Sequence, residues 1–219
     1  DSLFVAFEEE KTGELERRIE QALGLDIERG RVYTRVFFTE AKKRYAGLLP
    51  DGSLDIVGLE VIRGDWAEVA KKVQEHVLEI ILKEQSAEKA ADFVRTMVTE
   101  LRQRKVPFRD LIIWKALTKP VEEYKVKAAH VEAAKALRSK GWALTVGDKV
   151  GYVVLTGEGR LYDKAKPYVF AVYDEVDVEY YVSKQVVPAA ARVLEFFGVT
   201  EDYLLKPAKK EKESLMGFM

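Results

Sequence analysis

The hydrophobic pattern changes period once along this chain, near residue 65, and that switch restricts the fold more than any other feature. Before it, short apolar runs sit between turn residues, as strands do; after it, apolar residues recur at three- and four-residue spacing, as on helix faces. Residues 2–8, Ser-Leu-Phe-Val-Ala-Phe-Glu, read as a buried strand. Thr12 can cap a helix whose face is Leu15, Ile19 and Leu23 and which closes at Gly24. Strands are expected at 31–38 and 43–49, and Pro50-Asp51-Gly52 turns the second into a strand at 54–62. Asp65, with Glu68 three residues on, has capping-box spacing and opens a helix whose face holds Trp66, Val69, Ala70, Val73, Val77, Ile80 and Ile81. A second helix over 87–104 buries Ala90, Val94, Met97, Val98 and Leu101. A third, over 129–140, ends at Gly141 and carries His130, Lys135, Arg138 and Lys140. Strands near 142–155 are broken at Gly147-Asp148, and a last helix over 178–197 starts at Asp177 and kinks at Pro188. The expected class is α+β: a strand-rich piece over 1–65, a mainly helical domain over 66–205, and a Lys/Glu-rich tail over 206–219.

Composition narrows the function classes. Of 219 residues, 47% are hydrophobic and 33% charged, which suits a folded chain and excludes a disordered one. No run approaches the ~18 apolar residues of a membrane span. The N-terminus lacks the basic-then-apolar pattern of a signal peptide, so a soluble cytoplasmic protein with no membrane partner is expected. Zero Cys excludes disulfides, thiolate metal sites and a cysteine nucleophile. Asn is absent too, and Lys and Glu are abundant, the bias of hyperthermophile proteins. The net charge of −1 conceals an asymmetry: residues 1–40 sum to −4 and residues 102–149 to +7. A basic block within a neutral chain is either a solvated helix face or a surface that grips a polyanion.

Three constellations could carry chemistry. Asp1 immediately precedes an apolar strand candidate, and Asp26 and Glu28 alternate along the next, so they point to one face. Carboxylates gathered on a sheet suit Mg²⁺, although by spacing alone the structural reading of each is favoured. Lys42-Lys43-Arg44-Tyr45-Ala46-Gly47 sets three consecutive cations before a strand, where their repulsion calls for an anion. The aromatic offers a flat contact to a sugar or base; a Lys-protected edge strand is the other reading. His130 lacks a second ligand at i+3 or i+4, and His76, beside Val73 and Val77, reads as a packing residue.

The order of these motifs resembles the C-terminal third of an archaeal family B DNA polymerase. Asp1-Ser2-Leu3-Phe4-Val5 is similar to the back half of the family's Tyr-Gly-Asp-Thr-Asp-Ser palm motif, and Lys42 to Gly47 matches its Lys-Lys-Arg-Tyr-Ala-Gly element. Gly58 to Arg63 with Asp65-Trp66 resembles the palm-to-thumb junction. Thr118-Lys119-Pro120, Tyr124-Lys125 and His130-Val131 resemble thumb segments that meet DNA. Gly147 to Tyr152, then Asp177 to Tyr181 with Gln185 and Pro188, complete the order, although Lys184 stands where the family often has Asn. The tail Lys212 to Met219 resembles a sliding-clamp-binding peptide, with Lys212 in place of the glutamine and Met219 in place of the second aromatic.

The resemblance implies an antiparallel palm fragment over 1–65, a thumb over 66–205 and a clamp-binding tail. It implies that Asp1 is a catalytic Mg²⁺ ligand in a two-metal nucleotidyl transfer, with Glu28 and Asp26 as auxiliary carboxylates. Lys42, Lys43, Arg44, Tyr45, Gly47, Lys119, Tyr124, Lys125, His130 and Lys135 would hold primer–template DNA, and Leu215, Phe218 and Met219 would hold the clamp. The other palm aspartates and the fingers residues that grip the triphosphate are missing from this sequence. The resemblance therefore implies a larger subunit carrying exonuclease, fingers and the rest of the palm, with dNTPs as substrates and a nucleoid-associated location. An α-amino group on Asp1 would set a positive charge beside the metal, which implies residues ahead of it. The competing readings are a non-catalytic DNA- or clamp-binding accessory module derived from a polymerase, and a purely structural partner.

Overall fold

The computed structural model describes residues 3–207. Its class is α+β, as the pattern switch implies. Helix α1 spans Glu9–Leu23. Three strands follow, β1 Arg35–Phe38, β2 Tyr45–Leu48 and β3 Leu54–Val57, and form one antiparallel sheet in that order. Phe38 faces Tyr45 and Tyr45 faces Val57, so β2 is the central strand. The turn after Pro50 forms because Asp51 accepts bonds from the Ser53 amide and hydroxyl (2.9 and 2.6 Å).

Helix α2, Glu68–Glu79, continues through a π turn at Ile80–Glu84 and is followed by α3, Ala87–Arg102, capped by Ser86. A second antiparallel sheet contains β4 Ile113–Ala116, β5 Lys149–Val154 and β6 Ala165–Pro167 in sequence order. Helix α4, Ala129–Arg138, packs on β5 and β6. The short α5, Leu161–Lys164, is followed by α6, Val178–Tyr181, a π turn at Val182–Val186, α7, Val187–Leu194, and α8, Glu201–Leu205. The core lies where α2, α3 and α7 meet: Val73, Val77, Leu78, Val94, Val98, Leu101 and Leu194 are buried there. Each buried aliphatic side chain there contributes about 1.5–3 kcal/mol.

Several sequence expectations are corrected. Residues 3–7 are not a buried strand but an exposed irregular segment, with Leu3 73% exposed. Thr12 lies inside α1, donating to the Glu8 carbonyl at 2.8 Å, while Gly24 closes the helix in left-handed geometry as expected. The strand at 54–62 stops at Val57, because Gly58 turns with φ +68 and a 3₁₀ turn takes over at Glu60–Ile62. A side chain at Gly58 would stand 2.1 Å from the Lys43 carbonyl oxygen. Asp65 does not cap α2; it pairs with Arg63 at 3.0 Å, and Ala67 is the N-cap. Residues 142–146 form no strand, since Asp148 turns back to bond Thr145 at 2.7 Å. The expected kink takes the form of the π turn just before Pro188, which has no N–H for the carbonyl four residues back. No helix among the described residues is long and apolar enough to cross a membrane.

Candidate nucleic-acid interface

The first basic surface is the tip of the turn joining β1 to β2. The Thr39 amide and hydroxyl both donate to the Arg44 carbonyl (3.2 and 3.0 Å), so the turn closes with Lys42 and Lys43 exposed at its tip. Lys43 sits at φ 60, a left-handed conformation that a β-carbon disfavours. Tyr45 is half-buried in an aromatic cluster, 5.0 Å from Phe4 and 6.2 Å from Phe38 between ring centroids. Gly47 is required by packing: a Cβ there would lie 2.2 Å from the Tyr33 ring. The Tyr33 hydroxyl in turn donates to Asp55 at 2.5 Å, and Arg31 pairs with the same carboxylate. Burial opposes charge on Asp55, but the Tyr33 and Arg31 hydrogen bonds outweigh it and hold its pKa below the ordinary value. Burial first, then the bond to Asp55, pushes the Tyr33 phenol well above its usual range.

The second surface lies between β4 and α4. Tyr124 accepts from the Thr118 amide at 2.8 Å, which aims its ring; the Lys119 ammonium lies 4.9 Å from that ring and His130 meets it edge-on at 5.6 Å. The Thr118 hydrogen bond lowers the Tyr124 pKa. His130 is only 7% exposed, and burial, aided by the charge of Lys115, holds its imidazole below its usual pKa. Lys119, Tyr124 and His130 are thus brought into one contact chain. Lys135, on the exposed side of α4, instead pairs with Glu132 at 2.8 Å. Lys42 and Lys125 are exposed and form no ion pair with another described residue.

Lys115 lies close enough for its charge to act on His130, although sequence reasoning passed over it. Lys115 follows Trp114, whose ring meets Tyr168 at 5.3 Å across Gly151, where a Cβ would lie 2.8 Å from the indole. The Lys127 ammonium lies 5.5 Å from the Tyr162 ring. A glycine inside the Val-rich strand β5 was the available signal, because it marks a close approach by something large.

The carboxylates are less organised. Asp26 and Glu28 lie on an exposed irregular stretch, not on a strand as their alternation suggests. They border a concavity of about 1010 Å³ between the N-terminal segment, α1 and the first sheet, lined also by Leu3, Phe4, Val5 and Phe7. Among the described residues, no group of three His, Asp or Glu side chains is placed to hold a metal. His76 is exposed, with its ring against Phe93 and its Nδ1 3.3 Å from Glu79, so it is not packed in the core. Asp1, Leu215, Phe218 and Met219 lie outside the described residues.

Comparison with known proteins identifies the family of the chain. DNA polymerase 2 of Aeropyrum pernix is 51% identical over 219 residues, all of this chain and 27% of the relative. A DNA polymerase of Archaeoglobus fulgidus is 39% identical over 92% of the chain and 28% of its own length. The solved structure of the family B DNA polymerase from the hyperthermophilic archaeon Pyrobaculum calidifontis superposes with a TM-score of 0.70 at 44% identity, over 88% of this chain and 25% of that one. The chain therefore spans about a quarter of the length of these relatives. The family model for DNA polymerase family B matches residues 1–197, and the chain belongs to that family.

Proposed function

We propose that this chain is the small subunit of a split family B DNA polymerase: it completes the palm site and supplies the thumb that grips primer–template DNA. A larger subunit would carry the exonuclease, the fingers and the rest of the palm. The observation that carries this reading is the state of the N-terminal region. Helix α1 buries no residue, and Leu3, Phe4, Val5 and Phe7 stand exposed around the large concavity, an apolar surface of the kind that marks a protein interface.

Residues 1–65 are read as palm, 66–205 as thumb, and 206–219 as a tail whose Leu215, Phe218 and Met219 engage a sliding clamp. Asp26 and Glu28 alone fit no metal cage, so Asp1 and carboxylates of the larger subunit would hold the Mg²⁺ ions, which supply Lewis-acid activation of the primer 3′-oxygen and the α-phosphate. The cations of this chain do the rest of the work assigned to it. Lys42, Lys43 and Arg44 contact the new duplex close to the reacting end, with Tyr45 and Gly47 shaping the strand beneath. Lys119, Lys125, Lys135 and the Tyr124–His130 pair hold the backbone further back. Such contacts read shape and charge rather than sequence. The enzyme works among nucleoid DNA in the cytoplasm.

The test is primer extension with Mg²⁺ and dNTPs, by the chain alone and mixed with a polymerase fragment carrying the missing parts. Extension by the mixture and not by the chain alone is expected. A mixture that binds primer–template without extending it would replace this reading with that of an accessory module.

A further inference from the structure

The Gln74 side chain is fully buried and bonded on all sides. Its Nε2 donates to Glu60 Oε2 at 2.7 Å and to the Ala189 carbonyl at 2.8 Å, while its Oε1 accepts from the Val61 amide at 3.0 Å. These partners come from three places: Gln74 is on α2, Ala189 is on α7, and Glu60 and Val61 form the 3₁₀ turn leading out of β3. Glu60 is itself 1% exposed, and its second oxygen accepts no hydrogen bond within the described structure; Arg192 of α7 stands 3.6 Å from it. Nearby, Gln185 in the π turn accepts from the Ala67 amide at 2.9 Å, fixing the start of α2. A buried carboxylate is costly unless paired, so this knot persists only while its geometry is kept.

The knot joins two pieces that each bear one of the basic surfaces. The chain leaving β3 belongs to the sheet that displays Lys42 and Arg44, and α2 and α7 belong to the helical part that also holds Lys119 and Lys125. Two patches on one ligand reinforce each other only when their spacing matches the ligand. We propose that Gln74 is a positioning residue for duplex binding, which fixes the sheet against the helical part so that both basic surfaces meet one duplex at once. This inference rests on the DNA-gripping role proposed above.

The test is binding of the full 219-residue chain to a primer–template duplex by fluorescence anisotropy, at a series of salt concentrations and well below the melting temperature. Gln74→Met keeps the volume and removes all three bonds. It is expected to raise Kd about tenfold and to make the salt dependence shallower by about one phosphate contact, although no cation has been changed. Val98→Ala, buried in α3, which supplies no group to the knot, is the comparison: it is expected to lower the melting temperature and leave the slope unchanged. Should Gln74→Met fail to fold, Arg192→Met removes only the half-exposed countercharge and is expected to shift Kd about threefold in the same direction. A folded Gln74→Met or Arg192→Met chain with the wild-type Kd and slope overturns the inference alone. A wild-type chain with no duplex affinity overturns the reading beneath it and the inference with it.

Discussion

Residues 3–34 and residues 67–205 are both rich in apolar side chains, yet only the second region buries them. Helix α1 has an amphipathic pattern and no buried residue, with Leu23 66% exposed. Helices α2, α3 and α7 have the same kind of pattern and enclose a core in which Val77, Leu78, Val98 and Leu101 are shielded from water. The difference teaches that periodicity specifies which face wants burial, and that a covering surface must be present for the burial to occur. In the helical region the chain is its own cover. In the N-terminal region the cover is what the proposed larger subunit would bring.

The largest effect expected is catalytic and tests the N-terminal side of this contrast. Asp1→Ala should reduce primer extension by the mixture to background while leaving duplex affinity near wild type; retained extension would remove Asp1 from the metal site. Next comes the core. Leu101→Ala should cost about 2–5 kcal/mol in urea denaturation, whereas Leu23→Ala on α1 should change the stability of the chain alone by less than about 0.5 kcal/mol. Equal losses would break the comparison, because α1 would then be packed. Gly47→Ala should cost about 1–3 kcal/mol through its clash with the Tyr33 ring, and pairing it with Tyr33→Ser should relieve part of that cost. Simple additivity of the two would show that the ring does not press on Gly47.

A pH effect follows from His130. Burial and the Lys115 charge lower its folded pKa, so the unfolded chain takes up the proton first. Its contribution to stability is complete above pH ~6.5 and is lost as the pH falls from there through the folded pKa. The urea midpoint should therefore decline between pH 7 and pH 5, and His130→Gln should flatten that decline. An unchanged profile would mean that the ring is hydrated. The smallest effect expected is Lys125→Ala, which should reduce the salt slope of duplex binding by about one, measured against wild type.

Much of the fold was legible because local signals and tertiary demands agreed. The β2–β3 hairpin follows from Pro50-Asp51-Gly52 between apolar runs, and α2 and α3 follow from an unbroken helical period. Strand β4 was illegible because it turns Ile113 inward while Trp114 and Lys115 stay exposed, and β6 because it is only three residues long and ends on Pro167. Such strands exist through their pairing with β5. At the candidate site, Lys119, Tyr124 and His130 came from the family resemblance, and their ring contacts give the physical link. The Tyr33–Asp55 bond joins residues 22 apart whose types announce nothing. Asp26 and Glu28 failed as a strand pair because alternation has meaning only when a neighbouring strand sets the pleat.

The two π turns give the helical region a discontinuity of phase. A π turn accommodates one more residue than the α-helix around it, so the faces before and after it are offset by about 100°. At Val182–Val186 that offset lets Tyr181 point toward β5, where its hydroxyl accepts from the Val154 amide at 3.1 Å, while Val187 and Ala190 are buried on the following segment. A single residue removed from this turn would restore a regular helix and rotate every later position out of step. Alignment of relatives across residues 182–186 should therefore tolerate substitution more readily than a gap.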